Sequence, residues 1–512
     1  GVISGTPSGS TTASFSVQAA DSLGSADTQS LTLTVASAGS SPAPSSSSSS
    51  SSGYTPTCGI SDMNAKLVPS NYTTAFGYVT TPGSSPIIGP PPAGANGSPA
   101  PIWYEPDFAN APGKRFGCPQ QLVIGAPNTS PTSSNPVNLQ LPYSTINAVS
   151  EDDAYIVLRN AEGFIFFYKF DGSGRVCPNL GQSGGLPFWL SGAEKHKLIV
   201  LVPGIVVKKY DIDACTETTW DSTSLAGVQY NNSWTNGGGE ADITPDGRYL
   251  VILTADPCCG DLTNKIWIYD AVSKTVLPQK PNGPAVTNAI GNTFDWCQIS
   301  HDETRLICRW GGPDRSAYLF DFATGKQLSR FTYDIGHSGF GLNVNNEDVV
   351  VTNETRTNWG ALYRWTRKWT DDSNIVDLWF KDPDDTLYNG GVAGIDSHYS
   401  AHYKWPNPSH HAVVFDFNDT APIIQGVKSY TLQTPPPSNY ATYWGKPWNE
   451  IIWCDLASPN SCRRMTHHRW LADGRDCAAC EHITRSGKYI YWSGYYGTSQ
   501  SNRYIVRMGP LY

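Results

Sequence analysis

Residues 396–417, DSHYSAHYKWPNPSHHAVVFDF, hold four of the ten histidines of a 512-residue chain. His398 and His402 stand four apart, the spacing that on a helix would aim two imidazoles at one metal ion. Read instead as the innermost strand of a β-unit over residues 398–405, the same spacing means something else. The two side chains share a face, because strand side chains alternate with period two, but they lie roughly 13 Å apart along it. They cannot chelate one ion together. Each must find partners on neighbouring units, at its own height.

Those partners come from superposing seven segments that share an inner strand, a turn and a following apolar strand: STINAVSEDDAYIVLR, PFWLSGAEKHKLIVLV, GEADITPDGRYLVILT, FDWCQISHDETRLICRW, GHSGFGLNVNNEDVVVT, SAHYKWPNPSHHAVVFDF and CEHITRSGKYIYWSG. The level of His402 collects Asn147, Trp189, Asp242, Gln298, Gly341 and His482, and the level of His398 collects His337, Phe294 and Gly238. Polar, titratable residues therefore recur where inner strands would face a common axis. One reading is a wet channel that tolerates them; the other is a site made by His402, His482, Gln298 and Asp242. Trp296, Tyr403, Trp405, Trp444 and Trp448 stand close by in sequence, and aromatic faces beside convergent polar groups are what sugar rings stack on. A second dense cluster, RRMTHHRW at 463–470, offers Arg469 with His467 or His468 for a charge-assisted contact to a carboxylate.

Several chemistries are excluded at once. No G-x-S-x-G elbow, phosphate loop or H-E-x-x-H occurs. A glycosidase needs two carboxylates across one bond, and only Asp242, with Glu240, Asp295 and Glu481 near it, would serve. β-Elimination on a uronic acid fits the inventory better. It needs the carboxylate neutralised, a base near neutrality for the adjacent proton and an acid for the departing oxygen. A metal ion or Arg469 suits the first task, His402 or His482 the second, and Tyr403 or Tyr443 the third.

The elements that must position these groups are read from composition and repeat. Charged residues make up 15%, while Gly 48, Pro 38, Tyr 26 and Trp 17 are high, a turn-rich β profile. Most of the seven segments are followed by a third strand, such as KIWIYDAVSKTV or SAYLFDFATGKQL. ITPDGRYLVIL and ITRSGKYIYW resemble the hairpins of WD40-like, TolB-type propeller repeats. The expected fold is all-β, a seven-bladed β-propeller over 143–512. Residues 54–142, with GPPPAGANGSPAP, are expected to wrap irregularly around it, pinned by Cys58 and Cys118. Residues 37–53, SAGSSPAPSSSSSSSSG, cannot bury apolar surface and are expected to be a disordered tether. Residues 1–36 alternate apolar and polar on either side of DSLGSAD. With GVISGTP they resemble part of the immunoglobulin-like repeats of bacterial surface and secreted proteins, which implies attachment to a cell surface or a larger multi-module polypeptide.

Net charge is −9 with no basic stripe, which argues against a nucleic-acid partner. Twelve cysteines, with Cys297/Cys308 and Cys454/Cys462 spaced to bridge adjacent strands, point to an oxidising, extracytoplasmic compartment. CAAC at 477–480 reads as structural, and the adjacent pair Cys258–Cys259 stays undecided. Six N-x-S/T sequons, at Asn71, Asn96, Asn128, Asn231, Asn353 and Asn418, are no more than such a composition provides. The start at Gly1 reads as a processed or truncated chain. The most apolar run, LIVLVPGIVV at 198–207, is about half a membrane span and reads as strand, turn, strand, so no membrane insertion is expected.

Histidines and a glutamine on inner strands of a secreted seven-bladed propeller, with GHSGF, DSHYSAHY, HHR and EHIT, loosely resemble the oligogalacturonate-lyase and ulvan-lyase type of polysaccharide lyase. The resemblance implies that His337, Gln298, His402 and His482 bind a divalent ion such as Ca or Mn, or perform acid–base work. It implies an acidic polysaccharide or oligosaccharide as partner. On this reading His402, His482 and Tyr403 are catalytic, and Arg469, Trp296, Trp405, Asp242 and His468 hold substrate. A non-catalytic glycan-binding or adhesion propeller is the competing expectation.

Overall fold

The computed structural model describes residues 11–20, 26–35, 56–62, 77–89, 91–94, 97–106, 116–124, 139–142, 146–160, 164–180, 186–202, 206–221, 242–244, 247–254, 265–277, 294–300, 302–310, 317–331, 339–342, 348–352, 365–368, 399–400, 412–416, 450–455, 462–467, 482–495 and 503–512. The chain divides into two compact units, Gly1–Ser50 and Ser51–Tyr512. In the first, strands Thr11–Ala20 and Ala26–Val35 form an antiparallel hairpin that pairs Phe15 with Leu31 and Ala13 with Leu33.

The second unit is nearly all β, as expected from composition; a single turn of 3-10 helix, Gly192–Glu194, is its helical element among the described residues. Among the described residues, seven antiparallel sheets of three or four strands follow one another along the chain, and six of them take their strands in sequence order. The first sheet is Tyr155–Arg159, Ile165–Lys169 and Arg175–Val176, and the second is Leu186–Trp189, Lys197–Val202, Val206–Asp211 and Thr216–Asp221. The third is Asp242–Ile243, Tyr249–Thr254, Lys265–Asp270 and Thr275–Leu277, and the fourth Phe294–Ile299, Arg305–Trp310, Ala317–Asp321 and Gln327–Phe331. Gly339–Leu342, Asp348–Thr352 and Trp365–Lys368 form the fifth; Tyr399–Ser400, Ala412–Asp416, Glu450–Asp455 and Arg463–His467 form the sixth. The seventh joins His482–Ile483, Ile490–Tyr495 and Arg503–Met508 to a strand from far upstream, Gln120–Ile124.

Middle strands such as YIVLR, IFFYK and KIWIYD are continuous apolar runs, the pattern of strands covered on both faces. An outer strand such as TETTWD is polar at every position but Trp220, because it lies at the sheet edge and meets water. Adjacent sheets share their cores. Val251 and Ile268 of the third pack with Ile299, Leu306 and Phe320 of the fourth. Ile451, Trp453 and Met465 of the sixth pack with Ile490, Trp492 and Val506 of the seventh. Tyr491 and Ile505 of the seventh also share a core with Ile156 and Phe167 of the first and Trp189 and Leu198 of the second. The seventh sheet therefore touches both its chain predecessor and the first sheet, a propeller-like arrangement. Each fully buried large apolar side chain in these layers contributes roughly 1.5–3 kcal/mol.

Two turn devices repeat. Just before Tyr155–Arg159 in the first sheet, where Val149 bridges Ile156, and between first and second strands in the third, fourth and seventh sheets, Ser150, Thr244, Ser300 and Thr484 each donate their backbone N–H to the carbonyl five residues on, at 2.8–2.9 Å. Their hydroxyls accept the N–H of that same residue: Tyr155 at 3.0 Å, Tyr249 at 2.9 Å, Arg305 at 2.8 Å and Tyr489 at 3.3 Å. The fourth residue of each turn has positive φ: Asp153 at 62°, Gly247 at 73°, Glu303 at 58° and Gly487 at 72°. The turns that follow the third strands use Asp211, Asp270 and Asp321, whose carboxylates accept N–H groups of Ala214, Val272 and Thr324. Since the strands alternate in direction, both turn sets lie at one end of the sheets. The stretches 222–241, 278–293, 369–398, 417–449 and 468–481 lie outside the described residues.

Four disulfides are present among the described residues: Cys58–Cys118, Cys297–Cys308 and Cys454–Cys462 as expected, and Cys177–Cys215, which ties the first sheet to the second. Cys258, Cys259, Cys477 and Cys480 lie outside the described residues. The segment expected to wrap irregularly is stitched down by Ile60 bridging Arg464 and Trp103 bridging Gln120, and it supplies the strand Gln120–Ile124. No helix among the described residues is long and apolar enough to cross a membrane.

Candidate functional site

The repeated hairpins fix which inner-strand residues are equivalent. Counting two residues back from each turn hydroxyl gives Ala148, Asp242, Gln298 and His482. Asp242, Gln298 and His482 thus share one level, from the third, fourth and seventh sheets. The two other expected members do not. Asn147 is one residue early, and Trp189 one residue late, since Leu190 takes the turn position by donating to Lys197. A slip of one residue puts a side chain on the opposite face.

Asn147 and Trp189 nevertheless meet His482 indirectly. His482 is fully buried, and its ring stacks on its cross-strand neighbour Tyr491 at 5.1 Å and 9°. The Tyr491 hydroxyl donates to Asn147 Oδ1 at 3.1 Å and accepts the Ala148 N–H at 2.9 Å. Trp189 Nε1 donates to the Ala148 carbonyl at 2.8 Å. Burial pushes the Tyr491 phenol far above its usual range. Gln298 is also fully buried, opposite Ile307. Asp242 pairs with Val251 and Trp296 with Arg309 along the backbone. His337, His402, Tyr403, Trp405, His468 and Arg469 lie outside the described residues. The strand expected over 398–405 is described at Tyr399–Ser400, paired with Phe415 and Val414.

His467 has a carboxylate partner, but not at the inner strands. Its Nδ1 lies 2.9 Å from Glu105 Oε2, and its backbone N–H donates to Glu105 Oε1 at 2.9 Å. Arg464 holds Glu450 by two bonds of 2.6 Å, with both side chains fully buried. Glu450, Arg464 and His467 sit on the outer two strands of the sixth sheet, His467 roughly 14 Å from the inner strand at 4.7–4.9 Å per strand, and Glu105 comes from the upstream segment. Their work is to fasten the upstream segment.

Sequence reasoning passed over His196. Its Nδ1 lies 2.7 Å from Asp213 Oδ2 and its Nε2 2.8 Å from Asp152 Oδ2, joining turns of the first and second sheets. Tyr155 donates to Asp213 Oδ1 at 2.8 Å, and Lys195 pairs with Asp152 at 3.0 Å. A cavity of about 500 Å³ beside it is lined by Glu194, Lys195, Lys197, Asp211 and Asp213. Burial works against charge on Asp152, but the hydrogen bonds from His196 and Lys195 prevail and hold it at about 2. For His196 burial works downward, and the bonds to Asp213 and Asp152 prevail and raise it. With each charge already paired, this cluster is an electrostatic clasp. The acidic run SEDDAY facing AEKHK was the signal available in the sequence.

Among the described residues no group of three or more His, Cys, Asp or Glu side chains is placed to hold a metal ion. Gln298 and His482 supply two of the four expected donors, whereas a hard divalent ion such as Ca takes six or more ligands. The described residues do not make that site by themselves.

No family model matches the chain, and no curated protein matches it. Among solved structures it is similar to an oligogalacturonate lyase from Vibrio parahaemolyticus, at 10% identity and TM-score 0.47, covering 77% of this chain and 93% of that one. An oligogalacturonate lyase in complex with manganese gives 11% identity and TM-score 0.49, covering 81% and 98%. The β-propeller domain of Cps50 (Swd1) from Myceliophteria thermophila gives 8% and 0.40, covering 76% and 99%. At these values the likeness transfers no residue roles, and a shared fold does not carry function.

Proposed function

We propose that the chain is a secreted, seven-bladed β-propeller enzyme that cleaves a uronic-acid polysaccharide by β-elimination, carried behind a partial immunoglobulin-like segment and a Ser-rich tether. The observation that supports it is the common level of Asp242, Gln298 and His482 on three different sheets. Four disulfides fit the oxidising compartment that secretion requires.

In this reading residues 401–411 and 468–481 supply the reacting groups to the inner strands. Arg469, with His468, neutralises the substrate carboxylate, so that the neighbouring C–H becomes acidic. His402 takes the proton, and Tyr403 returns one to the departing oxygen. His482 and Gln298, being fully buried, form the wall behind the base and set its surroundings. Trp296 and Trp405 stack on sugar rings, and Asp242 accepts from sugar hydroxyls. A divalent ion held by His337, Gln298 and His482 would neutralise the carboxylate further, with His402 kept off the metal so that its ring nitrogen stays basic; no step depends on the ion.

Digests of pectin, ulvan, gum arabic and glucuronan, read by mass spectrometry with and without chelator, test the reading. Products ending in an unsaturated uronide support it. Saturated products from any of them would instead indicate hydrolysis. The full burial of His482 favours one rival, a non-catalytic glycan-binding propeller. That rival takes over if every polymer is returned intact while one of them binds the protein.

A further inference from the structure

Arg485 follows His482 by three residues, in the turn that opens the seventh sheet, and it is buried, 4% exposed. It reaches past the first sheet to the second. Its Nη1 donates to the Leu190 carbonyl at 3.3 Å and to Ser191 Oγ at 2.9 Å, and its Nη2 donates to the Trp189 carbonyl at 3.0 Å. All three acceptors are neutral, and Nε has no hydrogen-bond partner among the described residues. The carboxylate whose charge acts on it, Glu151, accepts the Gly192 N–H at 2.6 Å. A buried guanidinium with no anion in contact is expensive, because burial costs a charge several kcal/mol unless it is paired. Burial accordingly lowers it from its usual value to about 10.

A second orphan donor ends the same hydrogen-bonded chain. Asn147 Oδ1 accepts from Tyr491 Oη and from the Val149 N–H, which fixes the amide orientation and leaves Nδ2 buried without a partner. The chain runs from Asn147 through Tyr491, Ala148 and Trp189 to Arg485. At one end stands a neutral amide N–H; at the other stands a cation whose Nε–H has no hydrogen-bond partner among the described residues.

The geometry points to a binding site for a small inorganic anion, with chloride as its simplest occupant, on the Nε edge of Arg485 where the first, second and seventh sheets meet. Its burial excludes a polymer. The anion would complete the junction between chain ends.

Thermal unfolding in sodium chloride against sodium gluconate at matched ionic strength tests it. The expected result is a saturating rise of about 2 °C specific to chloride, lost in Arg485→Gln. Bromide soaked into crystals of the unaltered protein gives an independent reading that does not depend on the variant folding: an anomalous peak within hydrogen-bond distance of Nε. Equal unfolding in the two salts, together with water and no anomalous signal at Nε, would overturn the proposal.

Discussion

Asp153 shows how single residues couple the first and seventh sheets. It sits in the first repeated turn with φ of 62° and accepts from Ser486 Oγ at 2.6 Å across the junction. Burial raises its carboxyl to about 6, against the pull of that hydrogen bond. A carboxyl whose folded value is raised contributes stability that is complete below its unfolded value near 3.8 and is lost as pH rises through about 6. Asp153→Asn keeps an acceptor for Ser486 and removes the buried charge. The variant should gain about 1–2 kcal/mol over the parent at pH 7–8, a figure discounted because Asp153 keeps some surface in water. Below pH 4 the two should unfold alike in denaturant titrations; an Asn variant less stable at pH 8 would contradict this.

At the scale of elements, the turns carry the repeat, and they respond oppositely at equivalent positions. Gly247 has φ of +73°, and a Cβ there would stand 2.3 Å from Leu190 Cδ2 of the second sheet. Gly247→Ala should cost about 1–3 kcal/mol, through left-handed strain plus that clash. Glu303→Gly places the favoured residue at φ of 58° and should be neutral or stabilising by up to about 1 kcal/mol. Calorimetry on the pair checks both, and equal effects of one sign would refute the equivalence. These hairpins were legible because Ser or Thr, followed by Gly or an acidic residue and an apolar run, is local chemistry. The inner-strand register was only half legible. Asp242, Gln298 and His482 fall into place by the turn rule, but Asn147 drew attention as a polar residue while the equivalent position is Ala148. The second hairpin is longer and holds the Gly192–Glu194 turn, so Trp189 slips by one. Turn length decides register, and a superposition of letters does not see it. The cross-strand bridges Cys297–Cys308 and Cys454–Cys462 were readable for the opposite reason, each lying within one hairpin. Cys177–Cys215 joins two sheets and left no local trace.

For the whole molecule, the junction of chain ends matters most. The strand Gln120–Ile124 completes the seventh sheet on Arg503–Met508, and Gly59 and Thr57 just upstream bond to Phe116 and Leu511 at 2.7 Å each. Cys58–Cys118 locks this segment across a separation of 60 residues. Replacing both cysteines with Ala should cost about 2–4 kcal/mol, seen as a lower unfolding midpoint, and an unchanged midpoint would show that the upstream segment is not part of the cooperative unit. The proposed roles of His402 as base and Arg469 as cation are the central claim, since the proposed elimination needs both. Ultraviolet absorbance of the unsaturated uronide, followed in time on an acidic polysaccharide, addresses it directly. The parent protein should generate that absorbance, and His402→Ala and Arg469→Ala should each slow it by about 100-fold or more while remaining folded. Parent-like rates in both variants would contradict it.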